Sequence, residues 1–303
     1  MNGNSGLTRR QAALAVSTAA FGVGGAFSGG TFATPVDGAT DPTSQWSLED
    51  RLRAFMKANS TLEKGMSIWH VRGIIYAYSP PQQPLPIMRF KNCEQQWVTP
   101  LTPSRFLKHN SLITFYCDYE TNEILDEFAN PLTGKKNRPK PHISRLKEGQ
   151  EISRDGIHLN VIRKAFPEFY RHSQFNVEID VVEDTITFRG EMKWPPILNR
   201  PPSGSVMSNF ARFSEVTDPE RIWVDAHFGG HVRMSYFPWM EMGTAKGHLL
   251  WHTTGYKLRK LESLPGDYLD KARTEYGEIF GKSPEFDEGP SVWGRRLQRL
   301  GLL

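Results

Sequence analysis

The folded part of the chain opens with a helical pattern of apolar residues. The segment Ser-Leu-Glu-Asp at 47–50 is typical of a helix start, because a serine and an acidic residue three positions later can cap each other's backbone N–H groups. The apolar residues that follow recur on one helical stripe: Leu48, Leu52, Phe55 and Met56. The sequence therefore predicts a helix near residue 48 with one buried face.

From residue 66 onward the pattern changes to short alternating segments that are rich in β-branched and aromatic residues. Turn-forming Pro, Gly and Asn residues separate them. The predicted strands are 66–78, 111–119, 123–128, 176–182, 185–193, 221–228, 231–237 and 248–258, and a hairpin joins 176–182 to 185–193. Amphipathic helices are predicted near 268–280 and 292–300.

This order of elements predicts a mainly β protein. Meandering strands with helices at the N- and C-terminal ends favour a single antiparallel barrel or a strongly curved sheet. The sequence has neither the alternation of strands and helices nor the Gly-rich phosphate loop of a nucleotide-binding fold. No repeat of fixed period is present, which argues against solenoids and propellers.

The first 33 residues are typical of an export signal. Arg9 and Arg10 precede an apolar run rich in Gly and Ala, and Thr31 and Ala33 then place small residues at the two positions that a signal peptidase reads. Adjacent arginines favour the twin-arginine route, although Ala12 stands where an aromatic residue is usual. We therefore expect an export signal at 1–33, a flexible lead-in at 34–46 and a single β-rich domain at 47–303, located in the periplasm.

Composition narrows the class of protein. Among 303 residues, 37 are basic and 33 acidic, so the net charge of +4 argues against a strongly basic nucleic-acid binder. Loss of residues 1–33 would remove two arginines and leave +2. Outside 1–33 the sequence has no apolar stretch long enough for a membrane span. We expect a soluble domain with a small-molecule partner, while the sequence does not decide whether the chain forms a homo-oligomer.

The two cysteines and the absence of common catalytic motifs also limit the chemistry. Cys93 and Cys117 are too few for a disulfide scaffold, and the sequence leaves open whether they form one bridge or remain buried thiols. No serine-hydrolase elbow, zinc-protease helix motif or paired-cysteine motif is present. A pair of glycosidase carboxylates needs no such motif, and Glu191, Asp225 and Glu241 would be its candidates.

Three segments resemble a known family when they are read in order. They are Trp-His-Val-Arg-Gly-Ile-Ile-Tyr at 69–76, the segment 118–134, and Pro-Trp-Met-Glu-Met-Gly-Thr-Ala-Lys-Gly-His at 238–248; Lys257 and residues 261–265 follow. This combination resembles the bacterial family known as domain of unknown function 1838, over residues 48–285. The resemblance implies a single exported domain and supplies no catalytic residues.

Strand alternation groups histidines with other polar residues. In 69–78, one face carries His70, Arg72, Ile74, Tyr76 and Tyr78, and the opposite face is the more apolar. His231 and Arg233 share a face in the same way, as do His248 and His252. Two interpretations stay open: these faces point to water, or they line a polar and aromatic pocket inside a barrel.

Two further stretches offer candidates for ligand contact. Residues 238–243 place Trp239 and Met240 beside Glu241, which suggests either a wall for an aromatic ligand or a hydrophobic plug at one barrel end. The basic stretch 135–154 is interrupted by Gly and Pro residues, and we interpret it as a solvated loop.

These observations lead to one leading hypothesis, a cofactor-independent lyase or isomerase acting on a hydrophobic or aromatic small molecule in a barrel pocket. Acid/base chemistry would come from His231, His248, His70 and Tyr76. Substrate contacts would come from Arg72, Arg233, Trp239, Met240 and His252.

Two alternatives use the same residues. The first is a non-catalytic periplasmic protein that binds a small molecule in the same pocket. The second is a metal enzyme with His227, His231 and His248 as ligands. We predict no cofactor. The metal is the weaker alternative, because residues four apart on an extended strand are about 13 Å apart, too far to share an ion.

Overall fold

The computed structural model describes residues 41–192 and 204–303. The predicted export signal at 1–33, most of the predicted lead-in and residues 193–203 lie outside the described residues. No helix within the described ranges is long and apolar enough to cross a membrane.

Helix α1 (Leu48–Asn59) begins where the sequence predicts. The Ser47 hydroxyl accepts a hydrogen bond from the backbone N–H of Asp50 at 3.1 Å, and the Asp50 carboxylate accepts one from the backbone N–H of Ser47 at 3.0 Å. Leu52, Phe55 and Met56 are buried. The capping box and the apolar stripe are therefore both confirmed.

Twelve strands are present in the described residues. Their bounds are β1 (Gly65–Tyr78), β2 (Leu85–Thr102), β3 (Arg105–Cys117), β4 (Phe128–Ala129), β5 (Lys136–Asn137), β6 (His142–Ser153), β7 (Gly156–Leu159), β8 (Glu178–Val182), β9 (Thr185–Met192), β10 (Gly204–Arg212), β11 (Ala226–Met234) and β12 (His248–Leu258). Ten of them form one antiparallel sheet in the order β7-β6-β3-β2-β1-β12-β11-β10-β9-β8, and β4 pairs with β5. The sheet curls into a half-barrel, which confirms the predicted mainly β fold.

The inner face of the half-barrel holds the main core. In β1 the side chains of Trp69, Val71 and Ile75 are at most 3% exposed, and they join one apolar cluster with residues from both ends of the sheet. Helix α1 fills the space inside the curl, where the Phe55 ring lies 5.5 Å from Phe175 between centroids. The alternation of β1 therefore sorts its side chains as predicted, with the more apolar face toward the core.

Four more helices accompany the sheet in the described part: α2 (Asn160–Ala165), α3 (Phe213–Thr217), α4 (Gly266–Tyr276) and α5 (Val292–Arg299). The terminal helices α4 and α5 match the prediction closely. Helix α4 covers part of the outer face, where Tyr268 and Leu269 pack against Ile68, Cys93 and Phe115. The short helices α2 and α3 lie between strands.

Five strands are absent from the sequence prediction: β2, β5, β6, β7 and β10. The interpretation of 135–154 as a solvated loop is wrong, because most of that stretch is strand β6 with several buried side chains. The two strands predicted at 221–228 and 231–237 are one strand, β11. Gly229 and Gly230 continue the ladder opposite Thr254 and Thr253 instead of forming a turn.

Both cysteines are free and buried. Cys93 pairs with Ile113 in the register of β2 and β3, whereas Cys117 lies four residues further along β3. Four residues of extended strand span about 13 Å, well beyond the distance that a disulfide can bridge. The structure therefore decides between the two alternatives in favour of buried thiols.

Candidate functional site

A groove of about 550 Å³ lies at one end of the half-barrel. Strand β3 ends there and β6 begins there, and the segment after β11 forms the opposite wall. The groove is lined by aromatic and basic side chains with a few others: Tyr116, Lys136, Asn137, Arg138, Lys140, Pro141, His142, Ile143, Phe237, Pro238, Trp239 and Glu241. A volume of this size suits a ligand of one or two rings.

Trp239 is held in place by other aromatic rings. It lies on the 3-10 turn Pro238–Met240. Its ring stacks on Phe237 with centroids 5.2 Å apart and planes at 16°, and it meets Phe128 edge-on at 5.7 Å. The Tyr116 ring lies 5.3 Å from it between centroids, with the two planes at 53°. Because Phe237 and Tyr116 are buried and Trp239 is half-buried, the indole is the aromatic surface that the groove offers to a ligand.

The two walls of the groove are tied together. The buried Asn130 side chain donates a hydrogen bond to the backbone oxygen of Met240 at 3.0 Å and accepts one from the backbone N–H of Leu132 at 3.0 Å. Across the same gap, Lys135 forms an ion pair with Glu241 at 3.5 Å. These contacts fix the turn that carries Trp239 against the loop that leads to the basic wall.

Positive charge dominates the groove. Among the described residues that line the groove, Lys136, Arg138 and Lys140 face one carboxylate, Glu241. Lys136 is partly neutralised by Glu127 at 2.7 Å. An anion in the groove would therefore meet a net positive wall next to the indole.

The structure places the predicted histidines on the other side of the sheet. His70, Arg72 and Tyr76 of β1 alternate with the core residues and point away from the inner face. His231 and Arg233 of β11 do the same, as do two residues of β12, His248 and His252. The sequence left open whether these residues point to water or line a pocket inside the barrel. The structure places them on the outer face, so they do not line the inside of the barrel.

Several of these side chains on the outer face contact each other. His231 and His252 stand opposite in the β11–β12 register and stack with ring centroids 4.9 Å apart. His227 lies 5.1 Å from the Tyr256 ring, and the Arg72 guanidinium lies over the same ring at 5.6 Å. Most of this surface is exposed, and none of these residues lines the groove.

His70 and His248 have distinct surroundings. His70 is buried beside Tyr268 of α4, and its Nδ1 contacts the backbone oxygen of Asn92 at 3.1 Å. Burial lowers the pKa of His70, while that hydrogen bond opposes the shift. Partial burial and the charge of Arg233 lower the pKa of His248, which lies 5.0 Å from the Tyr78 ring.

Of the residues predicted to contact substrate, the groove contains Trp239. Met240 is fully buried and joins the core, so its side chain does not face the groove. Glu241 lines the groove, whereas Asp225 pairs with Arg259 at 3.5 Å; the Glu191 side chain lies outside the described residues. The described residues contain no group of three His, Cys, Asp or Glu side chains that could hold a metal ion.

Sequence reasoning missed the basic wall of the groove. Lys136, Arg138, Lys140 and His142 fall in the stretch 135–154, for which the sequence predicts a solvated loop. The Lys-Pro-His motif at 140–142, at the start of β6, was the available signal. Its place beside Trp239 depends on the pairing of strands far apart in sequence, which local spacing does not reveal.

The fold and the groove define a curled antiparallel β-sheet protein with a ligand-sized opening at one end. The family described as Protein of unknown function (DUF1838) matches residues 203–295, which confirms the resemblance over the segment from β10 to α5. No curated protein matches the chain. The crystal structure of Rv2717c from M. tuberculosis aligns over 67% of this chain and 97% of that chain, at 10% identity and a TM-score of 0.24.

Proposed function

We propose that this protein binds an anionic aromatic small molecule, such as an aromatic carboxylate, in the groove beside Trp239. The observation that carries the proposal is the juxtaposition of an indole held by three other rings with a wall of Lys136, Arg138 and Lys140. This keeps the small-molecule binding expected from the sequence and assigns it to a different set of residues.

The aromatic part of the ligand would pack on Trp239. Aromatic rings gain stabilisation from offset-stacked or edge-on contact beyond the burial of apolar area. Because Phe237, Phe128 and Tyr116 already fix the indole, binding would cost little side-chain entropy. A rigid, partly exposed indole at the edge of a groove is therefore a suitable anchor for a planar ligand.

The anionic part of the ligand would face the basic wall. Arg138 and Lys140 are exposed, so their attraction to a carboxylate is moderate and is weakened by salt. They would add selectivity for an anion over a neutral compound of the same shape. Affinity should consequently fall as ionic strength rises.

Variants of the groove test this proposal by titration with 2-naphthoate. We expect Trp239→Leu to weaken binding about tenfold, which corresponds to about 1.4 kcal/mol. Trp223→Leu is the matched control, because Trp223 packs against Lys257 and Arg259 and is not among the residues that line the groove, so the affinity should be unchanged. Equal affinity in Trp239→Leu and wild type would overturn the assignment of the groove.

The charge of the wall is tested separately. The double variant Arg138→Gln with Lys140→Gln should weaken binding of 2-naphthoate and leave the neutral 2-naphthamide unaffected. Lys260→Gln with Arg299→Gln removes the same charge elsewhere on the exposed surface and serves as control. If both double variants weaken the binding of 2-naphthoate equally, the loss of affinity comes from the lower net charge of the protein. The basic wall then has no specific role.

A lyase or isomerase remains the second candidate, because one histidine does line the groove. His142 is buried at the start of β6, opposite Thr114 in the register with β3. In an acid/base mechanism within the groove, His142 would act in place of His231, His248 or His70. A His142→Gln variant that keeps ligand affinity but loses turnover at least about a hundredfold would support catalysis.

A further inference from the structure

A second pocket, of about 730 Å³, lies at the opposite ends of β3 and β6 from the Trp239 groove. We call it the distal pocket. Strand β3 begins there at Arg105 and β6 ends there at Ser153, whereas the groove lies where β3 ends and β6 begins. The stretch of β3 from Arg105 to Tyr116 spans about 36 Å. Among the described residues, no side chain lines both pockets.

Strand alternation places polar side chains in the distal pocket. Arg105 stands opposite Ser153 in the register of β3 and β6, and Glu151 lies two positions before Ser153, on the same face. Phe106 and Ile152 alternate with these residues and are buried in the main core. The charged side chains therefore lie on the outer face of the sheet, where the pocket is open to solvent.

Helix α2 supplies another wall of the pocket. Its residues Val161 and Ile162 are buried in a separate apolar cluster with Trp293 of α5. The next two residues, Arg163 and Lys164, line the distal pocket. The core thus fixes both the strands and the helix that carry the charged lining.

Glu151 holds two of the cations in place. Nε and Nη2 of Arg105 donate to the two carboxylate oxygens of Glu151 at 3.0 and 2.8 Å, and Nη1 of Arg163 lies 3.6 Å from Oε1. Burial alone would raise the pKa of Glu151, but the hydrogen bond and charge of Arg105, with the charge of Arg163, lower it. Glu151 is therefore ionised, and it neutralises one of the two guanidinium charges.

The other two cations of the lining lack such a partner. Arg154 follows β6 and Lys164 lies on α2; both are exposed, and neither forms an ion pair within the described ranges. The four cations of the lining face two carboxylates, Glu151 and Asp155, so its net charge is +2. A phosphomonoester carries nearly two negative charges at neutral pH. The charge of the pocket therefore matches one phosphate group.

The uncharged part of the lining is also polar. Thr102, Ser104 and Asn160 offer hydroxyl and amide groups, and Pro167 is the one described lining residue without a polar side chain. The carboxylate of Asp155 can accept hydrogen bonds from the hydroxyl groups of a ligand. This composition suits a ligand with many hydroxyl groups, in contrast to the aromatic groove.

We propose that the distal pocket is a second binding site, which takes a soluble phosphorylated sugar. Its phosphate would face Arg154 and Lys164, and its hydroxyl groups would face Thr102, Ser104 and Asp155. The volume of the pocket is within the range of small-molecule sites, so a sugar ring with one phosphate has room to enter. Because the cations are exposed, affinity should fall as ionic strength rises.

Calorimetric titration of the full chain with glucose 6-phosphate tests this site, with inorganic phosphate and glucose as the separate parts of that ligand. We expect saturable binding of glucose 6-phosphate, binding of inorganic phosphate that is at least about tenfold weaker, and no saturation by glucose. Absence of saturable binding of glucose 6-phosphate would overturn the proposal. Equal affinity for inorganic phosphate would also overturn it, because the sugar would then make no contact.

A double variant tests the two cations assigned to the phosphate. Arg154→Gln with Lys164→Gln should weaken binding of glucose 6-phosphate at least about tenfold. Lys260→Gln with Arg299→Gln removes the same charge from exposed positions outside the pocket and should leave the affinity unchanged. Urea unfolding verifies that both variants fold like wild type. Equal weakening by the two double variants would show an effect of net charge and would contradict the site.

The two ligands keep the two sites distinguishable. Trp239→Leu should leave the binding of glucose 6-phosphate intact, and Arg154→Gln with Lys164→Gln should leave the binding of 2-naphthoate intact. Competition between the two ligands, or loss of glucose 6-phosphate binding in Trp239→Leu, would contradict a separate site. Failure of the groove proposal would leave the measurement on the distal pocket unaffected.

Discussion

The side chain of Asn130 donates a hydrogen bond to the backbone oxygen of Met240, 3.0 Å away, across 110 residues of sequence. This contact joins the loop before the basic wall to the 3-10 turn that presents Trp239. Asn130 is 1% exposed, so water does not replace the bond when it is lost. The geometry of the groove therefore depends on one buried amide that is not itself among its lining residues.

Replacement of that amide should affect stability and affinity together. We expect Asn130→Ala to lower the free energy of unfolding by about 1–3 kcal/mol, because it leaves the oxygen of Met240 and the N–H of Leu132 without their partner. Binding of 2-naphthoate should weaken as the turn loosens. Urea unfolding and titration measure the two effects, with the exposed Asn176→Ala as control. Unchanged stability would show that the contact does not hold the turn.

Gly73 in the middle of β1 is a test of how closely the strands pack. A Cβ atom at this position would lie 1.9 Å from the backbone oxygen of His252 and 3.0 Å from the Phe90 ring. We expect Gly73→Ala to lower the free energy of unfolding by at least about 2 kcal/mol, since backbone must move. Gly65→Ala at the start of the same strand meets nothing within 4 Å and should be close to neutral. Similar unfolding curves for the two variants would contradict the packing.

The buried Lys108 predicts a specific dependence of stability on pH. Burial lowers the pKa of Lys108 from its ordinary 10.5 to about 8, against the opposing attraction of Glu94. Between these two values the unfolded chain binds more protons than the folded chain, so the contribution of this group to the free energy of unfolding rises with pH. Wild type should therefore gain stability relative to Lys108→Met between pH 8 and pH 10.

Urea unfolding at pH 7, 8, 9 and 10 measures this gain. Lys260→Met replaces an exposed lysine and should differ from wild type by a constant amount over the same range. Other buried lysines titrate equally in wild type and in both variants, so they cancel in the comparison. A constant difference between wild type and Lys108→Met would show that Lys108 has no lowered pKa in the folded chain.

The arginine pair near the N-terminus leads to a prediction about location, and we propose that the protein acts in the periplasm. Arg9→Lys with Arg10→Lys should retain the uncut precursor in the cytoplasm of a bacterial host, because the twin-arginine route requires the guanidinium pair. Arg295→Lys with Arg299→Lys is the control within the folded domain. Fractionation followed by mass measurement gives the result, and normal export of the first variant would exclude this route.

The sequence predicts the elements whose local pattern agrees with their burial. Helix α1 is recognisable because Ser47 and Asp50 cap each other, and β12 is recognisable because Leu249 and Trp251 alternate with polar residues. Strand β2 was missed because Glu94 and Gln96 occupy inner positions, which inverts the usual relation between polarity and exposure. These buried polar side chains therefore keep the local sequence pattern from predicting β2.

The candidate site shows a different limit of sequence reasoning. Alternation in β1 separates His70 and Arg72 from Trp69 and Val71 correctly, but it does not say which face the sheet curls around. That is decided by α1 and by strands far along the chain. The sequence predicts Trp239 as a ligand contact because Trp239 and Met240 stand beside a carboxylate, Glu241, in the segment 238–243. The cations beside it were missed because they reach it only through the pairing of β3 with β6.

A crystal structure of the protein with 2-naphthoate tests the central proposal most directly, because it shows where the ligand lies. We predict the naphthalene ring in contact with the Trp239 indole, within about 4 Å, and the carboxylate directed toward Arg138 and Lys140. A ring bound elsewhere, or a carboxylate turned away from these cations, would contradict the account.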